Sequence, residues 1–201
     1  MAQSTHHVRL NLKPGLLSRF AQVFSKGVGI NTRTGCSIKD FICEQLGIHE
    51  EYLEERIQTI FLNGKPVDDV DASVVGDGSM LALSAAMPGL VGAIMRRGGY
   101  YAAMRDTITH ESGSSTGRTQ DGIVTVKLFN LTVREIGPIL LQRGVIIETV
   151  DLKDVLSRFE NDFRQGCSGA TLDSDTILLD DLIVKIGNQD RIYLQIKEDK
   201  N

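Results

Sequence analysis

The chain has no tryptophan, only three cysteines in 201 residues, and no apolar run approaching the ~18 residues of a membrane-spanning helix. No transmembrane segment and no membrane partner are expected. The N-terminus, Met-Ala-Gln-Ser-Thr-His-His, has no apolar core of the kind a secretory signal carries. Cys36, Cys43 and Cys167 are odd in number and lack zinc-site spacing, which predicts free thiols in a reducing, cytoplasmic setting and no metal. Net charge is −4, so no bulk electrostatic footprint for nucleic acid exists. That charge is uneven: residues 1–120 hold 12 acids and 12 bases, whereas residues 121–201 hold 14 and 10.

Catalytic motifs are equally scarce. The polar run 111–122 lacks the Gly-Lys-Ser/Thr ending of a phosphate-binding loop, and His49-Glu50-Glu51 lacks the second histidine of a zinc protease. Asp173, Asp175, Asp180 and Asp181 have no calcium-loop spacing. Cys36 and Cys43 are too far apart for a typical metal pair, and His6-His7 reads as a solvated, frayed end. Gly166-Cys167-Ser168-Gly169 could present a thiol or hydroxyl in a loop, but a nucleophile needs a base within reach, and His110 is the only histidine near the middle of the chain. The expectation is a non-enzymatic protein without cofactors.

What is present centres on Thr59–Gly99. Thr59-Ile-Phe-Leu62 is a short strand ending at Asn63-Gly64, a pair suited to the positive φ angles of a tight hairpin. Gly76-Asp-Gly78 makes a second turn before a strand over Met80–Leu83. Upstream, Val8, Leu10 and Leu12 alternate as a half-buried strand, Leu16–Phe24 suggests a short helix, and Val28, Ile30 and Thr32 alternate again. Ser37 is a helix N-cap, Ile38, Phe41, Ile42 and Leu46 follow helical spacing, and Gly47 suits the C-terminal end. Residues 50–56 read as a second, exposed helical turn. Antiparallel strands wrapping one helix over residues 8–86 predict a β-grasp, an α+β fold.

The order, the Phe61-Leu-Asn-Gly-Lys-Pro-Val67 hairpin and Gly76-Asp-Gly-Ser-Met-Leu-Ala-Leu83 resemble the MoaD/ThiS family of ubiquitin-like sulfur carriers over roughly residues 8–90. In that family the last strand leads into a C-terminal Gly-Gly whose carboxylate is adenylated and thiolated. The resemblance therefore implies a carrier, or a precursor processed after Gly98-Gly99, with an adenylating enzyme as partner. This chain departs from the pattern by continuing about a hundred residues beyond Gly99. The reading preferred from the sequence is a ubiquitin-like protein acting in protein–protein interaction or self-association.

The run from Ser79 to Arg105 contains no acid. Its apolar side chains, from Leu90 to Met104, predict an ordered segment packed on some surface, because leaving them in water forgoes several kcal/mol at roughly 25 cal/mol per Å². Where they stay exposed they mark a partner site. Leu90, Ile94, Arg96, Arg97, Tyr100 and Tyr101 are the candidate contact residues.

Residues 111–122, rich in Gly, Ser and Thr, are expected to link a first domain (1–110) to a second small α+β domain (123–201). There Ile123–Phe129 alternates as a strand. Thr132–Arg143 is helical, broken or started at Pro138 and ended by Gly144, and Val145–Ile147 suggests a short strand. Asp151 precedes an amphipathic helix. A closing hairpin is expected from alternation over Leu182–Ile186 and Ile192–Ile196.

Overall fold

The computed structural model describes residues 5–110, 119–187 and 190–199. Its chain is of mixed α and β content and forms two compact units. One is Gly29–Ile136; the other joins the residues up to Val28 with those from Gly137 onward.

The strands in chain order begin with β1 (His6–Leu12), β2 (Val28–Thr34), β3 (Cys36–Ser37) and β4 (Thr59–Leu62). Next come β5 (Lys65–Pro66), β6 (Val74–Val75), β7 (Met80–Ser84) and β8 (Gln120–Phe129). The last are β9 (Val145–Glu148), β10 (Cys167–Leu172), β11 (Asp175–Ile177) and β12 (Arg191–Glu198). The helices are α1 (Ala21–Lys26), α2 (Ile38–Asp40), α3 (Glu50–Glu55), α4 (Gly89–Met95) and α5 (Leu131–Glu135). They continue with α6 (Gly137–Arg143), α7 (Thr149–Arg158), α8 (Glu160–Gly166) and α9 (Leu179–Lys185).

In the Gly29–Ile136 unit the strand order is β2-β8-β7-β4-β5, with β3 and β6 forming a separate two-stranded pair. β4 runs antiparallel to both β5 and β7. The β4–β5 turn is the expected one: Asn63 and Gly64 have φ of 52° and 81°, and the Asn63 Oδ1 accepts the Met80 N–H. Ser37 caps α2, its hydroxyl accepting the Asp40 N–H at 3.0 Å. The helix then widens to π-type turns over Phe41–Gln45 and stops at Gly47, where φ is 72°. Ile38, Phe41, Ile42 and Leu46 are all buried, as their spacing requires.

β8 lies beside β7 and parallel to it, Met80 opposite Thr125 through Ser84 opposite Phe129. The Gly76–Gly78 turn receives it. Asp77 accepts the Ile123 N–H, and a Cβ on Gly122 would come within 2.6 Å of that carboxylate. Val124, Val126 and Leu128 are fully buried. This corrects the expected division at 111–122: Gln120–Gly122 already belong to β8, and β8 serves the sheet of the preceding residues. Residues 111–118 of the expected linker lie outside the described residues.

The other unit orders its strands β11-β10-β1-β12-β9. β1 is central, antiparallel to β10 and parallel to β12, so the Val8–Leu12 strand pairs within its own unit and not with β2, β4 or β7. Val8, Leu10 and Leu12 face inward as alternation predicts. His6 and His7 are not frayed: His7 stacks on Tyr193 at 4.9 Å and His6 Nδ1 lies 2.5 Å from Asp173. Phe20 and Phe163 meet edge to face at 5.8 Å. Gly137 packs on Phe24, where a Cβ would sit 3.0 Å from the ring, and α6 starts there with Pro138 in its first turn. The expected Leu182–Ile186 strand is a helix, α9. Leu182 and Ile186 are buried four residues apart while Val184 is 77% exposed, and Asp180 and Asp181 occupy the first turn, where the helix dipole favours acids. Cys167 and Ser168 sit in β10, not in a loop. Among the described residues, no helix is long and apolar enough to cross a membrane.

Candidate interaction surface

The acid-free run leaves β7 at Ser84 and turns at Met87-Pro-Gly89, with φ of 75° at Gly89. Gly92 lets α4 close onto that turn: a Cβ there would lie 2.0 Å from the Met87 carbonyl oxygen. After α4 the chain bends at Arg96–Gly99 and enters a 3₁₀ helix over Tyr100–Ile108, kinked at Arg105.

This segment is held by an arginine. The Arg105 side chain is 1% exposed. Its Nη2 donates to Asp68 Oδ1 at 2.7 Å and its Nη1 to Asp68 Oδ2 at 3.0 Å. Nε donates to the Ile94 carbonyl at 2.8 Å, Nη1 also to Thr109 Oγ1 at 2.9 Å, and Nη2 to the Arg96 carbonyl at 3.4 Å. All five guanidinium donors are thus used, which is what burying this charge requires. Burial alone would raise the Asp68 carboxyl; the Arg105 guanidinium and the Gly98 N–H outweigh it and hold the group below its ordinary value. Backbone bonds complete the attachment, Arg97 N–H to the Gln58 carbonyl and His110 N–H to the Pro66 carbonyl, both 2.8 Å.

The apolar side chains do the opposite. Tyr100 is 92% exposed, Met104 70%, Leu90 66% and Val91 61%, with Ile108 and Tyr101 also exposed. The expectation of a segment packed by its apolar side chains is therefore corrected: the backbone is tied down, but through a buried arginine, and much of the apolar area faces solvent. Tyr100 and Tyr101 contact each other edge to face at 5.1 Å.

The candidate residues separate into four groups. Leu90, Tyr100 and Tyr101 are on the exposed surface, and Arg96 is exposed with no side-chain partner among the described residues. Ile94 is half-buried and lends its carbonyl to Arg105. Arg97 is turned inward, 9% exposed, donating to the Leu53 carbonyl and to Glu54 at 3.0 Å. Gly98 and Gly99 are in the attached backbone: Gly98 N–H donates to Asp68 at 2.9 Å and Gly99 N–H to the Arg96 carbonyl at 3.2 Å. Sequence reasoning missed Asp68 and Arg105 as a pair. The available signal was an arginine closing an acid-free apolar run, which must find its counter-ion elsewhere.

Beside this staple is an open cleft of about 760 Å³, lined by Glu54, Glu55, Asp68, Asp69, Asp71, Arg96 and Arg97 among others. Its charges are largely spent internally. Asp69 accepts two backbone N–H groups of its own turn, and Asp71 lies 3.8 Å from Lys39. Burial pushes all three cysteine thiols up, the wrong direction for a nucleophile at neutral pH. Among the described residues, no three His, Cys, Asp or Glu side chains are grouped to hold a metal. Comparison with protein-family models, curated proteins and solved structures finds no match to this chain.

Proposed function

We propose that the chain is a non-enzymatic protein of β-grasp type that acts by protein–protein contact, and that the outward face of residues 89–108 is its docking surface. The observation that carries this reading is the inverted amphipathicity of that segment. A helix stabilised for its own sake turns apolar residues inward and arginine outward. Here the arginine is buried in a five-donor network and the tyrosines, methionine and leucine are left outside. Exposed Tyr and Met on an anchored backbone match the residues enriched in interface cores.

The β-grasp reading rests on the permuted strand order β2-β8-β7-β4-β5 of the Gly29–Ile136 unit, in which β8 pairs in parallel with β7, and not on the Val8–Leu12 strand expected within residues 8–86. A ubiquitin-like domain begins with the strand that pairs in parallel with its last one; in this chain that place is taken by β8, which follows the tail instead of opening the domain. The same arrangement weighs against the sulfur-carrier precursor. Cleavage after Gly99 would separate the carrier from β8, and Val124, Val126 and Leu128 would leave its core.

A photo-crosslinking amino acid at Tyr100 tests the proposal in cells, with the same group at Val184 of α9, 77% exposed, as control. Adducts with protein at position 100 and not at 184 are expected. Absence of any adduct at 100 would reject the docking surface.

A further inference from the structure

We propose that the occupant of this surface is a second copy of the same chain, joined through the same face on both protomers. This rests on the docking reading above and adds the partner. Area is the first argument. Leu90, Val91, Tyr100, Tyr101, Met104 and Ile108 are all exposed on α4 and the 3₁₀ helix that packs on it. A single tyrosine can bury of order 150–250 Å². Tyr100, with Leu90, Val91 and Met104 more than half exposed beside it and Tyr101 and Ile108 in part, exceeds the ~400 Å² tolerated on a soluble monomer and is of the order of the ~800 Å² that each partner gives to a standard interface.

Charge is the second argument, and it selects among partners. The segment contains three arginines, but two are neutralised within the protomer: Arg97 by Glu54 at 3.0 Å, and Arg105 by Asp68. Among the described side chains of residues 89–108, that leaves Arg96 as the charge without an internal partner. An acidic partner would find one free cation among the described residues. A second copy brings the same apolar, aromatic-rich face, the composition of an interface core, with Arg96 as its one unpaired charge among the described side chains. Because one patch serves both protomers, the contact closes as a two-fold dimer and does not propagate.

Sedimentation velocity of the full chain over a wide concentration range tests this, alongside Tyr100→Glu and Met104→Glu. Both positions are largely solvent-exposed, so the variants should keep the fold, which a thermal melt checks. Val184→Glu, on an exposed position of α9, is the control. The expected result is a dimer with a dissociation constant in the micromolar range or tighter, weakened at least ~10-fold by either Glu at the face and unchanged by the control. A species that stays monomeric throughout, or a dimer indifferent to both face variants, overturns self-association. The crosslinker at Tyr100 separates the two readings: capture of a different protein by a monomeric chain overturns the dimer and leaves the docking surface standing, whereas no capture together with a monomer overturns both.

Discussion

Arg105 and Asp68, 37 residues apart in sequence, form a two-pronged ion pair, Nη2–Oδ1 at 2.7 Å and Nη1–Oδ2 at 3.0 Å, and the same carboxylate also accepts the Gly98 N–H. One acid thus ties the bend at Arg96–Gly99 to the 3₁₀ helix that follows it. The apolar side chains carried between Leu90 and Ile108 can face outward because the segment does not depend on them for attachment.

Arg105→Met should expose the cost of that arrangement. It leaves Asp68 and the Ile94 carbonyl without their charged donor. Removing one member of a buried pair costs ~3–5 kcal/mol, and because Asp68 is 36% exposed water will satisfy part of the loss. A decrease near the low end, about 3 kcal/mol, is expected from urea unfolding. Asp68→Asn keeps an acceptor for Gly98 but leaves the buried Arg105 guanidinium without its counter-charge, and should cost at least as much.

Acid should loosen the same staple. The folded-state pKa of Asp68 is below its ordinary value of 3.8, so its contribution is complete above the unfolded-state pKa and is lost as pH falls through the lower, folded-state value. With no tryptophan in the chain, tyrosine fluorescence reports Tyr100 and Tyr101 with only two other tyrosines. A transition confined to pH below 3.8 is expected, and Asp68→Asn should remove that component.

Gly92→Ala and Gly98→Ala should both destabilise, for different reasons. At Gly92 the new Cβ meets the Met87 carbonyl at 2.0 Å, which forces α4 away from its turn and should cost ~1–3 kcal/mol. At Gly98 there is open space, and only the φ of +59° is unfavourable, roughly 1 kcal/mol. Thermal unfolding of the two variants should rank them in that order.

A chain ending at Gly99 should show no cooperative thermal transition. It would lack β8, whose Val124, Val126 and Leu128 are fully buried beside β7. Circular dichroism on that fragment measures it directly; a native-like melt would revive processing at Gly98-Gly99.

How much of this was legible beforehand depended on range. The Ser37 cap, the Asn63-Gly64 turn and the alternation of Val8, Leu10 and Leu12 were readable because their causes lie within a few residues. Partner strands were not: β1 pairs with β12, nearly the whole chain away, and nothing in Val8–Leu12 distinguishes that neighbour from β2. Leu182, Val184 and Ile186 satisfied a strand pattern, yet Leu182 and Ile186 are equally spaced for one helical face. The candidate surface was found from its composition, but its orientation was not, because area alone argues for burial and the buried Arg105 was invisible without Asp68.

The central claim is that residues 96–110 are a fixed platform whose apolar side chains face outward. Amide hydrogen exchange on the free protein tests it. Slow exchange is expected at Arg97, Gly98, Ala102, Thr109 and His110, whose N–H groups donate to Gln58, Asp68, Gly99, Arg105 and Pro66. The same amides should become fast in Arg105→Met. Exchange within seconds throughout this segment of the native chain would contradict the account.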